Sequence, residues 1–209
     1  MKIFPLLKND LKLSLRYGII PIYIVLTLMY SLALYFIPSP AQGIVMIILL
    51  YTDPAVMGFF FIGGVLLFEK SEGVLESLFT TPVKLSGYLI SKAAVYGLLS
   101  TVVCLIIALF TTKLQVNIFY LTIDAFLSSV AFTFLGIALA VGSKTVTDYM
   151  LSAVGVMVPL MTPILATLEI YDPFWFYVFP SHASLLLFNS SIATEITLPI
   201  FIYSIAMLA

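Results

Sequence analysis

The chain has 209 residues; 62% are hydrophobic, only 9% are charged, and the formal net charge is −1. A soluble domain carries about 25% charged residues, so this chain cannot cover a water-facing surface, and its mean hydropathy of +1.19 places it in lipid. The apolar runs lack the alternation of barrel strands, which leaves helices, whose backbone groups are all satisfied internally.

The N-terminal stretch MKIFPLLKNDLKLSLRYG has charges spread from Lys2 to Arg16 and no small-residue cleavage site, so it is not a cleavable signal peptide. Lys8, Lys12 and Arg16 recur at helical spacing, as do Leu7, Leu11 and Leu15. Residues 1–17 therefore read as an amphipathic helix in the membrane interface, basic face toward anionic headgroups. A first span follows over about Tyr17 to Ile37, ended by Pro38-Ser39-Pro40.

The next apolar run, 44–68, is interrupted by Asp53-Pro54, which reads as an N-cap followed by proline in the first helical turn. This favours a second span from Pro54 to Phe68, with 44–52 as a lead-in. A single continuous span with Asp53 inside it is the alternative. A third span is expected over Leu89 to Phe110, a fourth over 119–141 after the turn Thr111–Asn117, and a fifth over 150–168. Pro159 and Pro163 bend the fifth. The aromatic segment 170–195, with Tyr171, Trp175 and Tyr177, suits an external re-entrant region beside an interfacial belt. A sixth span starts near Ile196 and is still apolar at Ala209, so the natural chain is expected to run further.

With the N-terminus inside, cytoplasmic segments hold Lys2, Lys8, Lys12, Arg16, Lys70, Lys84, Lys92 and Lys144, against only Lys113 outside. This is a positive-inside pattern. The fold class is thus all-α: a polytopic integral membrane protein of six transmembrane helices, with an N-terminal interfacial helix and a cytoplasmic loop helix, in one domain spanning 1–209.

The loop Glu69–Lys92 is the one long polar interval, holding three of the ten acids and three of the nine bases. Glu69, Glu72 and Glu76 fall on one helix face; Val74, Leu75, Leu78 and Phe79 fall on another. The second span is therefore expected to continue as an amphipathic helix beyond the membrane. Thr80-Thr81-Pro82 breaks it, and Thr81 caps a short helix over about 82–88 that lies across the membrane face. A knob of this kind fits a groove on a soluble partner. The plainer reading of the three glutamates is a solvated helix face.

The run Glu69-Lys70-Ser71-Glu72-Gly73-Val74-Leu75-Glu76, then Thr81-Pro82-Val83, Tyr88 and Lys92, resembles the permease subunits of type-2 ABC exporters. Asp53-Pro54, Phe61-Ile62-Gly63 and Phe68-Glu69-Lys70 resemble the fluoroquinolone-export permease branch of that family. The resemblance implies a permease half of an exporter. A separate ABC ATPase would dock on 69–88, through Glu69, Glu72, Glu76, Thr81, Pro82, Val83 and Lys84, and on the second cytoplasmic turn, 142–149. A second permease chain, identical or related, would complete the path. ATP and Mg²⁺ would be bound by the ATPase, since this chain has no GxxxxGK[ST] loop. A prokaryotic plasma membrane is the expected location, with no nucleic-acid partner.

No catalytic, cofactor or metal residue is assigned. His182 is the single histidine, Cys104 the single cysteine, and neither GxSxG nor HExxH occurs. Asp53 reads as an outer cap, with a place on a substrate or ion path as the other reading; Asp124 reads as interfacial. Gly58, Gly63, Gly64 and Gly136 with Ala140 read as close-packing positions, and Phe59-Phe60-Phe61 as packing or substrate contact. Few fixed charges along the spans favour an amphipathic or hydrophobic substrate such as a drug, lipid or peptide. The alternative function is a membrane-embedded enzyme or assembly factor that uses 69–92 to bind another cytoplasmic protein. An ion-coupled secondary transporter is disfavoured, because no internal repeat is evident.

Overall fold

The computed structural model describes residues 3–74, 84–110, 116–193 and 198–208. Among these residues the chain is helical and no strand occurs. Helix α1 (Ile3–Arg16) turns Lys8, Lys12 and Arg16 outward and Asp10 and Ser14 inward. Gly18, in the left-handed region at φ +76°, separates it from α2 (Ile19–Phe36). Only glycine adopts that conformation without steric cost, so the turn between α1 and α2 is set at this position. Helix α2 buries the stripe Ile19, Tyr23, Thr27, Ser31 and Leu34 and leaves its other faces outward. At its end Gln42 Nε2 donates to the Leu34 carbonyl at 3.0 Å, supplying a partner that the interrupted helix no longer provides.

The second span differs from expectation. Residues 41–71 form one helical stretch, made of α3 (Ser39–Ala55), a π-helical turn (Val56–Phe61) and α4 (Ile62–Ser71). Asp53 lies inside the helix, so it does not cap a span starting at Pro54, and 44–52 is part of the span. The reason is local. Pro54 removes one N–H from the ladder, and the chain absorbs the disturbance as a π-turn rather than a break. The Asp53 carbonyl also accepts a hydrogen bond from Tyr23 Oη at 3.3 Å.

Helix α5 (Leu85–Phe110) is continuous, so residues 85–88 belong to the third span's helix rather than to a separate loop helix. The Lys84 carbonyl accepts from the Gly87 and Tyr88 amides at 3.0 and 3.2 Å, and nothing interrupts the ladder before Leu89. At about 1.5 Å per residue its 26 residues reach about 39 Å, ample for a ~30 Å hydrocarbon core. Helix α6 (Ile118–Gly142) starts with the Asn117 side chain accepting from the Phe119 amide at 3.2 Å. Helix α7 (Val146–Met161) starts with Thr145 accepting from the Asp148 amide at 3.1 Å, while Asp148 accepts from the Lys144 amide at 3.2 Å. Beyond Pro163 it continues as a short turn, Ile164–Thr167. A 3-10 turn, Phe174–Val178, leads to α8 (Pro180–Ala193), and α9 (Leu198–Leu208) follows.

Helices α5 and α6 form the centre of the bundle, with α3, the π-turn and α4 packed on one side. Close approach is built from glycine. A Cβ on Gly58 would strike the Ser129 carbonyl and Thr133, one on Gly136 would strike the Phe59 backbone, and one on Gly63 would enter the Tyr149 ring. Ala140 is also buried, whereas Gly64 faces open space. Phe59 is fully buried and serves packing. Helix α8 runs antiparallel to α6: Ser184 meets Ser128 at 2.8 Å, and the Ser191 carbonyl accepts from the Asn117 amide at 2.8 Å.

Among the described residues five helical stretches are long and apolar enough to span a membrane: Ile19–Phe36, Ala41–Ser71, Leu85–Phe110, Ile118–Gly142 and Val146–Thr167. The expectation was six. The stretch anticipated from Ile196 is represented by α9, whose 11 residues reach about 16 Å, short of a bilayer on their own.

Candidate functional site

The charged residues of the 69–92 loop do not form a solvated face at its first stem. Glu69 is 1% exposed and Lys92 is 2% exposed. Glu69 lies two residues before the end of α4, and Lys92 lies two turns into α5, so they mark the two stems of the loop. Lys92 Nζ is 2.7 Å from Glu69 Oε1 and 3.3 Å from Asp10 Oδ1 of α1. Tyr88 Oη donates to Glu69 Oε2, and Ser91 Oγ donates to Asp10 Oδ2 at 2.5 Å. The ammonium also sits 4.7 Å from the centre of the Tyr88 ring, a cation–π contact.

Every carboxylate oxygen in this network therefore has a partner. That is the condition under which buried charge is tolerated, because taking an ion out of water costs several kcal/mol. Two carboxylates face one ammonium, so Lys92 is the single group that neutralises both. Its removal would leave two buried acids uncompensated. The network ties together α1, the end of the second span and the start of the third. Neither stem can shift without stretching the link to α1.

A second, outer contact lies beside it. Glu72 follows the end of α4, where Gly73 in the left-handed region (φ +70°) turns the chain. Helix α4 thus ends at Ser71, and Glu69 and Glu72 do not share one exposed face as expected. Tyr17 Oη donates to Glu72 Oε2 at 3.0 Å, and the Tyr17 ring stacks on Phe68 with centroids 6.0 Å apart. Burial, then the hydrogen bond to Glu72, push the Tyr17 phenol above its ordinary value. Lys84 is exposed, and Glu76, Thr81, Pro82 and Val83 lie outside the described residues.

Two further carboxyls are buried at mid-bundle. Asp53 is 5% exposed, with Ser100 Oγ of α5 3.4 Å from Oδ2. Asp124 is 0% exposed, enclosed by the protein itself. Ser128 Oγ donates to its Oδ1 at 2.8 Å, and its Oδ2 has no hydrogen-bond partner. Neither acid forms an ion pair among the described residues. His182 is buried, with its ring edge-on to Tyr177 at 4.7 Å between centroids.

Asp10 was not singled out from the sequence. The signal that would have found it is its isolation: it is the only acid among the charges of residues 1–17, on a helix whose other charges are all basic. Ser14, one turn on, donates back to the Asp10 carbonyl at 2.9 Å and continues the inward stripe. Lys92 and Tyr88 were seen as members of a motif, but their pairing across the loop is a tertiary contact.

The chain is a multi-pass, helical membrane protein with a buried Asp10–Lys92–Glu69 network at the stems of a polar loop. It belongs to the fluoroquinolones export permease protein family, whose model matches residues 2–207. It is 25% identical over 194 residues to a fluoroquinolones export permease protein of Mycobacterium tuberculosis, strain CDC 1551 / Oshkosh, covering 91% of this chain and 81% of that relative. The counterpart from strain ATCC 25618 / H37Rv matches at the same identity and coverage.

Proposed function

We propose that this chain is the permease subunit of an ABC exporter, moving an amphipathic or hydrophobic substrate with energy from a separate ATPase. The observation that carries the reading is the Asp10–Lys92–Glu69 network, which closes on both stems of the loop expected to meet the ATPase. A push on 69–88 would be delivered through Glu69 to α4 and the π-turn, and through Lys92 to α5. The bond to Asp10 would carry the same push to the interface helix. Two permease chains form the path, in a prokaryotic plasma membrane with the N-terminus and the loop cytoplasmic. The segment 170–195 is a re-entrant element at the opposite side. The ATPase supplies the ATP and Mg²⁺ sites. Family membership supports export, and the scarcity of charge along the spans supports an apolar or amphipathic cargo.

The test is to tag the chain, extract it gently from native membranes and identify what co-purifies, comparing wild type with Glu76→Lys plus Pro82→Ala. Recovery of an ATPase with a phosphate-loop motif, lost in the double variant, is expected. No ATPase after crosslinking before extraction would overturn the reading and point to an embedded enzyme or assembly factor.

A further inference from the structure

Between α1 and α5 runs a cavity of about 700 Å³ whose walls include Phe4, Leu7 and Leu11 on one side and Val95, Leu98 and Val102 on the other. Its one charged lining residue is Lys8. A second cavity of about 200 Å³ shares Leu99 and Val102 with it and continues along α5 to Met57 and Ile106, beside α2. The two adjoin at these residues and form one stretch of apolar wall along α5. Its polar wall residues show carbon surface only: Tyr23 Oη is engaged by the Asp53 carbonyl, and Thr27 Oγ1 by the Tyr23 carbonyl at 2.7 Å.

The dimensions identify an occupant. From Val95 to Ile106 the groove follows α5 for roughly 16 Å at 1.5 Å per residue, about half of a ~30 Å hydrocarbon core. That length matches the depth of one leaflet, and the groove is apolar along it with Lys8 as the charged residue of its α1 wall. Lys8 has no ion-pair partner among the described residues, unlike Lys92.

We infer that the α1–α5 groove binds one anionic phospholipid, with its phosphate at Lys8 and an acyl chain along Leu98, Leu99 and Val102. The bound lipid would wedge the interface helix against the third span on the side away from the Asp10–Lys92 bond. The site is independent of which substrate the protein moves.

The experiment uses purified, delipidated protein in detergent. Dioleoyl phosphatidylglycerol, dioleoyl phosphatidylcholine and soluble glycerol phosphate are titrated separately, and binding is read by native mass spectrometry and by the thermal unfolding midpoint. Phosphatidylglycerol is expected to bind at one per chain and to raise the midpoint more than phosphatidylcholine does. Lys8→Gln is expected to weaken it about fivefold, the loss of one lysine at an anionic surface. Leu98→Trp, a change on an exposed helix face that fills the groove, is expected to block it; Lys12→Gln and Arg16→Gln change it less. Equal effects of the two lipids would overturn the assignment. So would equal effects of Lys8→Gln and Lys12→Gln, unchanged binding in Leu98→Trp, or stabilisation by glycerol phosphate matching that by phosphatidylglycerol.

Discussion

The ammonium of Lys92 rests 2.7 Å from the carboxylate of Glu69, joining the two stems of a loop that the sequence presents as a polar excursion. The pair is buried, and Asp10 binds the same ammonium from a third element. The loop is consequently held by its roots, and its charges belong partly to the bundle.

Lys92→Met is the most damaging single change at this site. It leaves Asp10 and Glu69 buried with no counter-charge, a loss of about 3–5 kcal/mol by comparison with other broken buried pairs. A clear fall in the thermal midpoint of detergent-purified protein is expected. Adding Glu69→Gln and Asp10→Asn to Lys92→Met should recover much of it, because the triple variant carries no buried charge.

Glu69→Gln and Glu72→Gln separate the buried stem from its exposed neighbour. Glu69→Gln removes one of two acids that share a single lysine, so it costs less than Lys92→Met but loosens the link between stems. Glu72→Gln touches only the exposed Tyr17 bond and should stay within about 0.5 kcal/mol of wild type. If the coupling proposal holds, Glu69→Gln lowers transport more than Glu72→Gln at equal expression. The comparison is made in inverted vesicles.

Gly63→Ala places a methyl group where the Tyr149 ring stands, and the backbone of the π-turn cannot retreat, because Tyr149 Oη also binds the Phe59 carbonyl. Overpacking of this kind costs about 1–3 kcal/mol. Gly64→Ala, one residue on and facing open space, should be neutral or stabilising by up to ~1 kcal/mol through helix propensity. Opposite shifts of the thermal midpoint for adjacent glycines are the expected outcome.

His182 gives the pH dependence. Burial lowers its pKa below the ordinary 6.5, partly opposed by Asp172. The unfolded chain therefore takes up the proton first as pH falls, so the contribution of His182 is fully present above the ordinary value and is lost below it. Thermal midpoints measured from pH 8 to pH 5 should decline through that window, and His182→Phe should flatten the decline.

Much of the fold is legible in composition. Gly18, Pro38 and the Ser143–Thr145 turn separate helices where the sequence places them, because backbone conformation and capping are local properties. Reading failed where a local rule met a tertiary opportunity. Asp53-Pro54 has the form of a helix start, yet Tyr23 takes up the Asp53 carbonyl and the helix runs through as a π-turn. Glu69 has the spacing of a solvated face, yet Lys92 and Tyr88 bury it.

By itself the sequence determined that this chain lives in lipid, that it is helical, where most helices begin and end, and which family pattern its loop carries. Those properties follow from hydropathy, proline and glycine stereochemistry and residue spacing, all of which act over a few neighbouring residues. Only the tertiary structure decided which charges are buried and with whom. The Asp10 and Glu69 carboxylates are buried where the Lys92 ammonium and the Ser91 and Tyr88 hydroxyls converge on them, and that convergence is a property of packing between segments remote in sequence.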